Sequence, residues 1–227
     1  MEERTLRPVA HIYNDYTEKF GIPRQSGRAN SVLSKIVFEK EYRHPEALRE
    51  IDGFSHLWLI FDFSKAHKDE FSPTVRPPRL GGNTRVGVFA SRSPFRPNSL
   101  GLSVVKLEKV EKTADGNALI VSGADLLNGT PIYDIKPYLP YADSIENAKG
   151  GYTEATPWQA LEVKFERGIK EKIAPEKLQG LIEVLQEDPR PSYQDDARIY
   201  KMKFGQYDIS FQVEQETLTV LEVNSVG

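Results

Sequence analysis

Between positions 91 and 99 the chain reads Ser-Arg-Ser-Pro-Phe-Arg-Pro-Asn-Ser. Two arginines, three serines and an asparagine give this loop a dense set of hydrogen-bond donors, and its two prolines stiffen it. A guanidinium fork fits two oxygens of a carboxylate or phosphate at once, so the chemistry on offer at Arg92 and Arg96 is anion binding. A turn whose arginines simply sit in water uses the same residues. The density of donors, on a loop that a sheet would hold, favours binding.

Two strands are expected to hold that loop. Val86, Val88 and Ala90 alternate with Arg85, Gly87 and Phe89, and Leu100, Leu102 and Val104 begin a second run of period two. Upstream, residues 4–13 read as a first strand in which Pro8 suits an edge or bulge, 14–30 as a polar loop, and 31–39 as a second strand. A short helix over 45–51 carries Pro45 in its first turn. Residues 54–63 form the most apolar run, with Leu57, Leu59, Phe61 and Phe63 on one face and Phe54, Trp58 and Ile60 on the other. Such a run reads as a central strand covered on both faces. His56 within it reads as a satisfied core histidine, because no second His or Cys lies at metal spacing. Residues 64–83 make a long loop, a length that goes with ligand binding or with disorder.

Downstream, strands are expected over 102–110 and 118–127, joined at Asp115-Gly116, followed by a tight turn through 125–131. Residues 133–144 interleave tyrosines with Lys136 and carboxylates, a pattern that serves equally to stack on bases or to seal the end of a sheet. Five or six strands with little helix point to an antiparallel barrel or sandwich. The expected fold is therefore mainly β: an antiparallel β-barrel over residues 1–145, a linker over 146–157, and a small α+β domain over 158–227. In the last, Leu178, Leu181, Ile182 and Leu185 mark a helix over 175–186, before strands at 198–204, 207–214 and 218–223.

Length and composition narrow the function classes. At 227 residues the chain can bury a real core, and without cysteine it has no disulfide and no thiolate metal site. The N-terminal residues show no signal-like apolar region and no run approaches a membrane span, so a cytoplasmic protein away from membranes is expected. The net charge of −3 hides an asymmetry: residues 64–109 carry nine Lys/Arg against three acids, a local +6. A basic region on an acidic chain is compatible with local phosphate contact and little non-specific nucleic-acid binding. No Gly-x-Gly-x-x-Gly follows a strand, so nothing supports a dinucleotide-binding Rossmann domain.

Three long motifs carry a family resemblance: the stretch from Gly87 to Ser103, Asp52-Gly53-Phe54-Ser55-His56-Leu57-Trp58, and the stretch from Gly129 to Tyr138. Together they are similar to the TrmO (TsaA-like) family, strongly over about residues 5–145 and more weakly beyond. The resemblance implies an S-adenosylmethionine-dependent enzyme that N-methylates threonylcarbamoyl-adenosine beside the tRNA anticodon. It implies no metal, and a homodimer with the cofactor site near the subunit interface. It assigns Pro23, Arg24, Gln25, His67, Lys68, Arg92, Leu102, Asp125, Leu126, Leu127 and Asn128 to the cofactor, although pattern alone makes 23–25 a turn and His67-Lys68 a solvated pair. The family's usual residue at position 128 is Asp; Asn keeps an acceptor and loses the charge. Asp134 is the first candidate for a base at the acceptor nitrogen, and a carboxylate merely paired with Lys136 or Arg92 is its alternative. Arg96, Lys136 and Tyr138 are candidates for RNA contact. Two further readings use the same residues: an enzyme acting on an anionic small molecule, and an RNA-binding module without chemistry.

Overall fold

The computed structural model describes residues 5–68, 70–155, 159–190 and 198–226. In chain order its strands are β1 (Ala10–Tyr13), β2 (Leu33–Phe38), β3 (His56–Asp62), β4 (Thr74–Val75), β5 (Val86–Gly87), β6 (Leu100–Thr113), β7 (Gly116–Ser122), β8 (Pro131–Pro137), β9 (Glu162–Phe165), β10 (Tyr200–Phe204), β11 (Tyr207–Glu214) and β12 (Thr217–Ser225). Among the described residues, two helices, α1 (Pro140–Asp143) and α2 (Pro175–Gln186), join these strands, together with several 3-10 turns. The chain is mainly β.

Six strands form one antiparallel sheet in the order β1-β2-β7-β6-β3-β8, and β1 pairs with β8 as well as with β2. Every strand of the sheet therefore has a neighbour on both sides, which leaves no long edge for a foreign strand to join. Its inner face is the first core: Ile12, Ile36, Leu57, Leu59, Phe61, Val105, Leu119, Val121 and Ile132 are all buried. Burial of each such side chain is worth about 1.5–3 kcal/mol. The period-two pattern of β3 is thus decisive, because one face points inward and the other does not. Trp58 and Ile60, expected under a second layer, are only half-buried on the outer face. There the Trp58 indole N–H donates to Asp143 Oδ2 at 3.0 Å and its ring meets Tyr138, centroids 5.9 Å apart.

Several boundaries differ from the expected ones for local reasons. The strand expected over 85–90 stops at Gly87, and Val88–Ala90 is a 3-10 turn with Val88 buried. The long loop 64–83 contains β4, which pairs with β5 as a two-stranded ribbon. The first strand begins at Ala10; Arg4, where it was expected to start, lies outside the described residues, as do Asp69 of the basic segment and Thr156 and Pro157 of the linker. Instead of one helix over 45–51 there are two 3-10 turns, Pro45–Leu48 and Ile51–Gly53, separated at Glu50, whose φ is 66°. The strand expected over 118–127 ends at Ser122, because Gly123 turns the chain at φ 73°, where a Cβ would lie 2.7 Å from Asn30 Oδ1.

After α1 and a 3-10 turn at Gly151–Thr153 the chain builds a second, four-stranded sheet in the order β10-β11-β12-β9, with β9 parallel to β12. Helix α2 contributes Leu181, Val184 and Leu185 to its core. That core also takes in Tyr16, Ala29 and Val32, with Phe20 and Ile22 packed against it. The segment between β1 and β2 is therefore folded onto the C-terminal unit, although it belongs to the first sheet by sequence.

Candidate functional site

The donor-rich loop spends several of its donors on itself. Ser91 Oγ donates to Val88 O at 2.8 Å, and the backbone N–H groups of Ser93 and Phe95 donate to Ser91 Oγ (3.3 Å) and Ser93 Oγ (3.2 Å). Arg96 donates from one Nη to the carbonyls of Ser91 (3.1 Å) and Ser93 (3.4 Å). These bonds fix the loop's shape. Arg92 alone of the two arginines reaches away from it, donating from Nη1 to Gln25 Oε1 at 2.8 Å.

Arg92 borders a cavity of about 680 Å³ between this loop, the adjoining ends of β3 and β6, residues 22–25 and residues 125–127. Phe61, Phe63, Leu100, Leu102 and Leu126 supply apolar wall, and Arg24, Gln25 and Arg92 supply donors. Two carboxylates, Asp62 and Asp125, also face it. Asp125 accepts a hydrogen bond from Ser103 Oγ at 2.6 Å. Burial raises its pKa above the ordinary aspartate value, against the opposing pull of the Ser103 hydroxyl, the Ser26 backbone and the Arg92 charge. The Asp62 side chain, 12% exposed, pairs with His67 Nε2 at 2.7 Å.

Of the cofactor-side residues named from the sequence, Pro23, Arg24, Gln25, Arg92, Leu102, Asp125, Leu126 and Leu127 all line this one cavity, as does Arg96. His67 and Lys68 do not. His67 reaches the cavity through Asp62, and the Lys68 ammonium lies 4.2 Å from the ring centroid of Phe95, which is itself in the wall. Asn128 is also outside: its Oδ1 accepts the Asn14 backbone N–H at 3.0 Å, and its own N–H donates to Tyr16 O at 2.8 Å. An acceptor is what that position uses here.

Asp134 and Lys136 stand on the outer face of the sheet, with Tyr138 just past the end of β8. Ile60 on β3 is opposite Leu102 on β6 and opposite Asp134 on β8, so the three share one row of one face. Two strand spacings, about 10 Å, separate the Asp134 backbone from that of Leu102 in the cavity wall. Asp134 pairs with Lys136 Nζ at 2.9 Å, as the structural alternative for it allows, and not with Arg92. Tyr138 packs beside Trp58 and His56, with centroids 5.9 and 6.3 Å away.

The sequence reading missed Asp62, Ser103 and Gly101. Each had a signal: a carboxylate closing an apolar run, and small residues interrupting the alternation of Leu100, Leu102 and Val104. Among the described residues no group of three or more His, Asp or Glu is arranged to hold a metal ion, and no helix is long and apolar enough to cross a membrane.

Comparison with known proteins bears on this cavity. Residues 11–144 match the family described as the tRNA-methyltransferase O N-terminal domain, and residues 159–226 match the TrmO C-terminal domain. A tRNA (adenine(37)-N6)-methyltransferase of Escherichia coli is 38% identical over 222 residues, covering 94% of each chain. One from Eikenella corrodens is 46% identical over 77% of this chain and 99% of its own. A crystal structure of TrmO from Pseudomonas aeruginosa superposes with a TM-score of 0.81 at 30% identity, over 99% of this chain and 98% of that one.

Proposed function

Because the chain belongs to the TrmO family, we propose that it is an S-adenosylmethionine-dependent tRNA methyltransferase acting on N6 of threonylcarbamoyl-adenosine beside the anticodon. One observation carries the reading. Stretches at 23–25, 92, 102 and 125–127, distant in sequence, line a single cavity whose residues fit the cofactor. Guanidinium and amide donors at Arg24, Gln25 and Arg92 suit its carboxylate. The buried Asp125 carboxylate suits its positive charge or its ribose hydroxyls, and the Phe61, Leu102 and Leu126 side chains suit its adenosine.

S-adenosylmethionine supplies a methyl already activated on a sulfonium, so the protein's task is alignment and exclusion of water more than strong acid–base catalysis. Arg92, steadied by Gln25, holds a carboxylate at the cavity rim. Leu102 and Ile60 form the apolar floor that joins the cavity to the outer face, where the target base lies. The acceptor nitrogen carries one hydrogen and loses it when its new C–N bond forms. Asp134, in the same row of the sheet, receives that proton, and Lys136 steadies the carboxylate between turnovers. Tyr138 and Trp58 offer ring faces to neighbouring bases. His67 and Lys68 shape the rim through Asp62 and Phe95, and Arg96 is the loop's internal brace, its remaining N–H groups directed to phosphate.

The closed run of six strands is read as an antiparallel β-barrel, followed by a linker and a small C-terminal domain. Leu100 and Leu102, 36% and 53% exposed, line the cavity with Phe95 at 43%, an apolar rim suited to a second copy of the chain. The protein works as a cytoplasmic homodimer without metal. Transfer of labelled methyl from S-adenosylmethionine to threonylcarbamoylated tRNA tests the reading. The wild type should transfer label and Arg92→Ala should lose most of it. Wild-type protein that binds the cofactor yet labels no RNA would sink the tRNA reading in favour of a small anionic acceptor.

A further inference from the structure

We infer that the C-terminal unit is a positioning element of the cofactor cavity, acting through Glu187 and the Arg190 carbonyl on Arg24. The inference rests on the cofactor reading of the cavity above. It gives Glu187 and Arg190 a positioning role, since neither borders that cavity.

Residues 14–32 supply the cavity's 23–25 wall; bonds such as Gly27 N–H to Gly123 O (2.8 Å) and Asn14 Nδ2 to Leu126 O (2.9 Å) tie them to the first sheet, and the C-terminal unit packs their apolar side. Their apolar side chains Tyr16, Phe20, Ile22, Ala29 and Val32 pack with the C-terminal core and not with the first sheet. The fit is close: a Cβ on Gly21, whose φ is 88°, would lie 2.5 Å from Met202 Cε, and one on Gly180 would lie 2.9 Å from Val32 Cγ2. Polar bonds stitch both ends of the segment. Glu183 accepts from Ser31 N (2.7 Å) and Ser31 Oγ (2.6 Å), while Asp15 takes Lys177 Nζ at 2.6 Å and the Gly205 N–H at 2.8 Å.

From this seat a continuous chain of bonds runs into the cavity. Arg190 is buried and held by a bidentate pair with Asp188, both contacts 2.9 Å. Its carbonyl accepts from Arg24 Nη2 at 3.1 Å. The Arg24 carbonyl accepts from Gln25 Nε2 at 2.6 Å, and Gln25 Oε1 accepts from Arg92. Arg92 in turn is a positive charge acting on Asp125. Glu187, just past the end of α2, lines the second cavity with Arg24; its burial raises its pKa, and the charges of Arg28, Arg24 and Arg79 act in the opposite direction. A second cavity, of about 530 Å³, opens on the far side of Arg24 and is lined there by Glu187, Asp188 and Arg190. Arg24, with Lys19 and Ile22, lines both spaces. Its position sets where Gln25 and Arg92 stand.

The test uses the full chain, with S-adenosylhomocysteine binding by calorimetry and methyl transfer at varied cofactor. Glu187→Gln should raise the Kd and the cofactor KM by about five- to twentyfold, within the usual range of coupling between sites, and leave kcat at saturating cofactor unchanged. Glu187→Asp should recover part of the loss. A purely structural role would lower the folded fraction and leave the Kd of the folded protein as it was, so an unchanged Kd in Glu187→Gln overturns the inference. A measurement on the wild type alone covers the case of a variant that does not fold. Since coupling is reciprocal, saturating S-adenosylhomocysteine should slow amide exchange at 187–190 as well as at 23–27. Protection confined to the first sheet and its loops overturns the inference while sparing the functional reading. A wild type that binds no cofactor overturns both.

Discussion

Replacing Gly101 by alanine should disturb the fold and the proposed cofactor cavity together. Gly101 on β6 stands opposite Phe61 on β3, and both border the cavity. An added Cβ would lie 2.2 Å from Phe61 Cζ and 2.3 and 2.7 Å from its two Cε atoms. To regain an ordinary 3.4 Å contact the ring would have to retreat about 1.2 Å, in a side chain that is 3% exposed and set edge-on against Phe63 at 5.1 Å. Overpacking of this kind costs about 1–3 kcal/mol. In a chain of this length that is a fall in Tm of roughly 2–12 °C. Because Phe61 borders the cavity, S-adenosylhomocysteine affinity should fall as well. Circular dichroism melts and calorimetric titration of Gly101→Ala, Phe61→Leu and the double variant form the assay. Leucine removes the ring, so the double variant should lose less than the two single losses combined. Additive losses, or a Gly101→Ala protein with a Tm within about 1 °C of wild type and the same Kd, would refute the packing argument.

Asp125→Asn keeps an acceptor for Ser103 and removes a charge that burial disfavours. A carboxyl with a raised folded-state pKa loses relative stability as pH climbs from its unfolded value to its folded one. The variant's Tm should therefore match wild type in acid and exceed it near neutrality, with weaker cofactor binding; a lower Tm at neutral pH contradicts the sign. Asp134→Asn should cut kcat by about 10²- to 10⁴-fold and leave the cofactor Kd unchanged. A kcat reduced less than about threefold removes Asp134 from proton transfer. Asn128→Asp should change stability by less than about 0.5 kcal/mol, because Asn128 uses only an acceptor oxygen toward Asn14; a larger effect in urea unfolding would show that charge at that position matters.

Much of the fold was legible where one side of a strand is buried. The alternation in β3 identified a strand, the Asp115-Gly116 turn placed β7 after β6, and the spacing of Leu178, Leu181, Ile182 and Leu185 identified α2 with its boundaries intact. What failed was local. A valine-rich run at 85–90 looked like one strand, yet Val88 is drawn into the core by a 3-10 turn that Ser91 caps. The double-faced apolar pattern of β3 suggested two covering layers, and half of it proved to be an outer face left partly open. Pattern located the donor-rich loop but could not say that Arg96 and the serines serve the loop itself while Arg92 serves the cavity. The Pro23-Arg24-Gln25 wall was visible only through family resemblance. Arg24 is bonded to Arg190, 166 positions away, and no local pattern encodes such a contact.

The central claim is tested most directly by finding the methyl. tRNA bearing threonylcarbamoyl-adenosine, incubated with the purified protein and S-adenosylmethionine, should yield on digestion a nucleoside one methyl heavier than threonylcarbamoyl-adenosine. Tandem mass spectrometry should place that methyl on the N6-substituted base, and tRNA lacking the threonylcarbamoyl group should yield nothing new. A methyl on another nucleoside, or equal methylation of both tRNAs, would contradict the account.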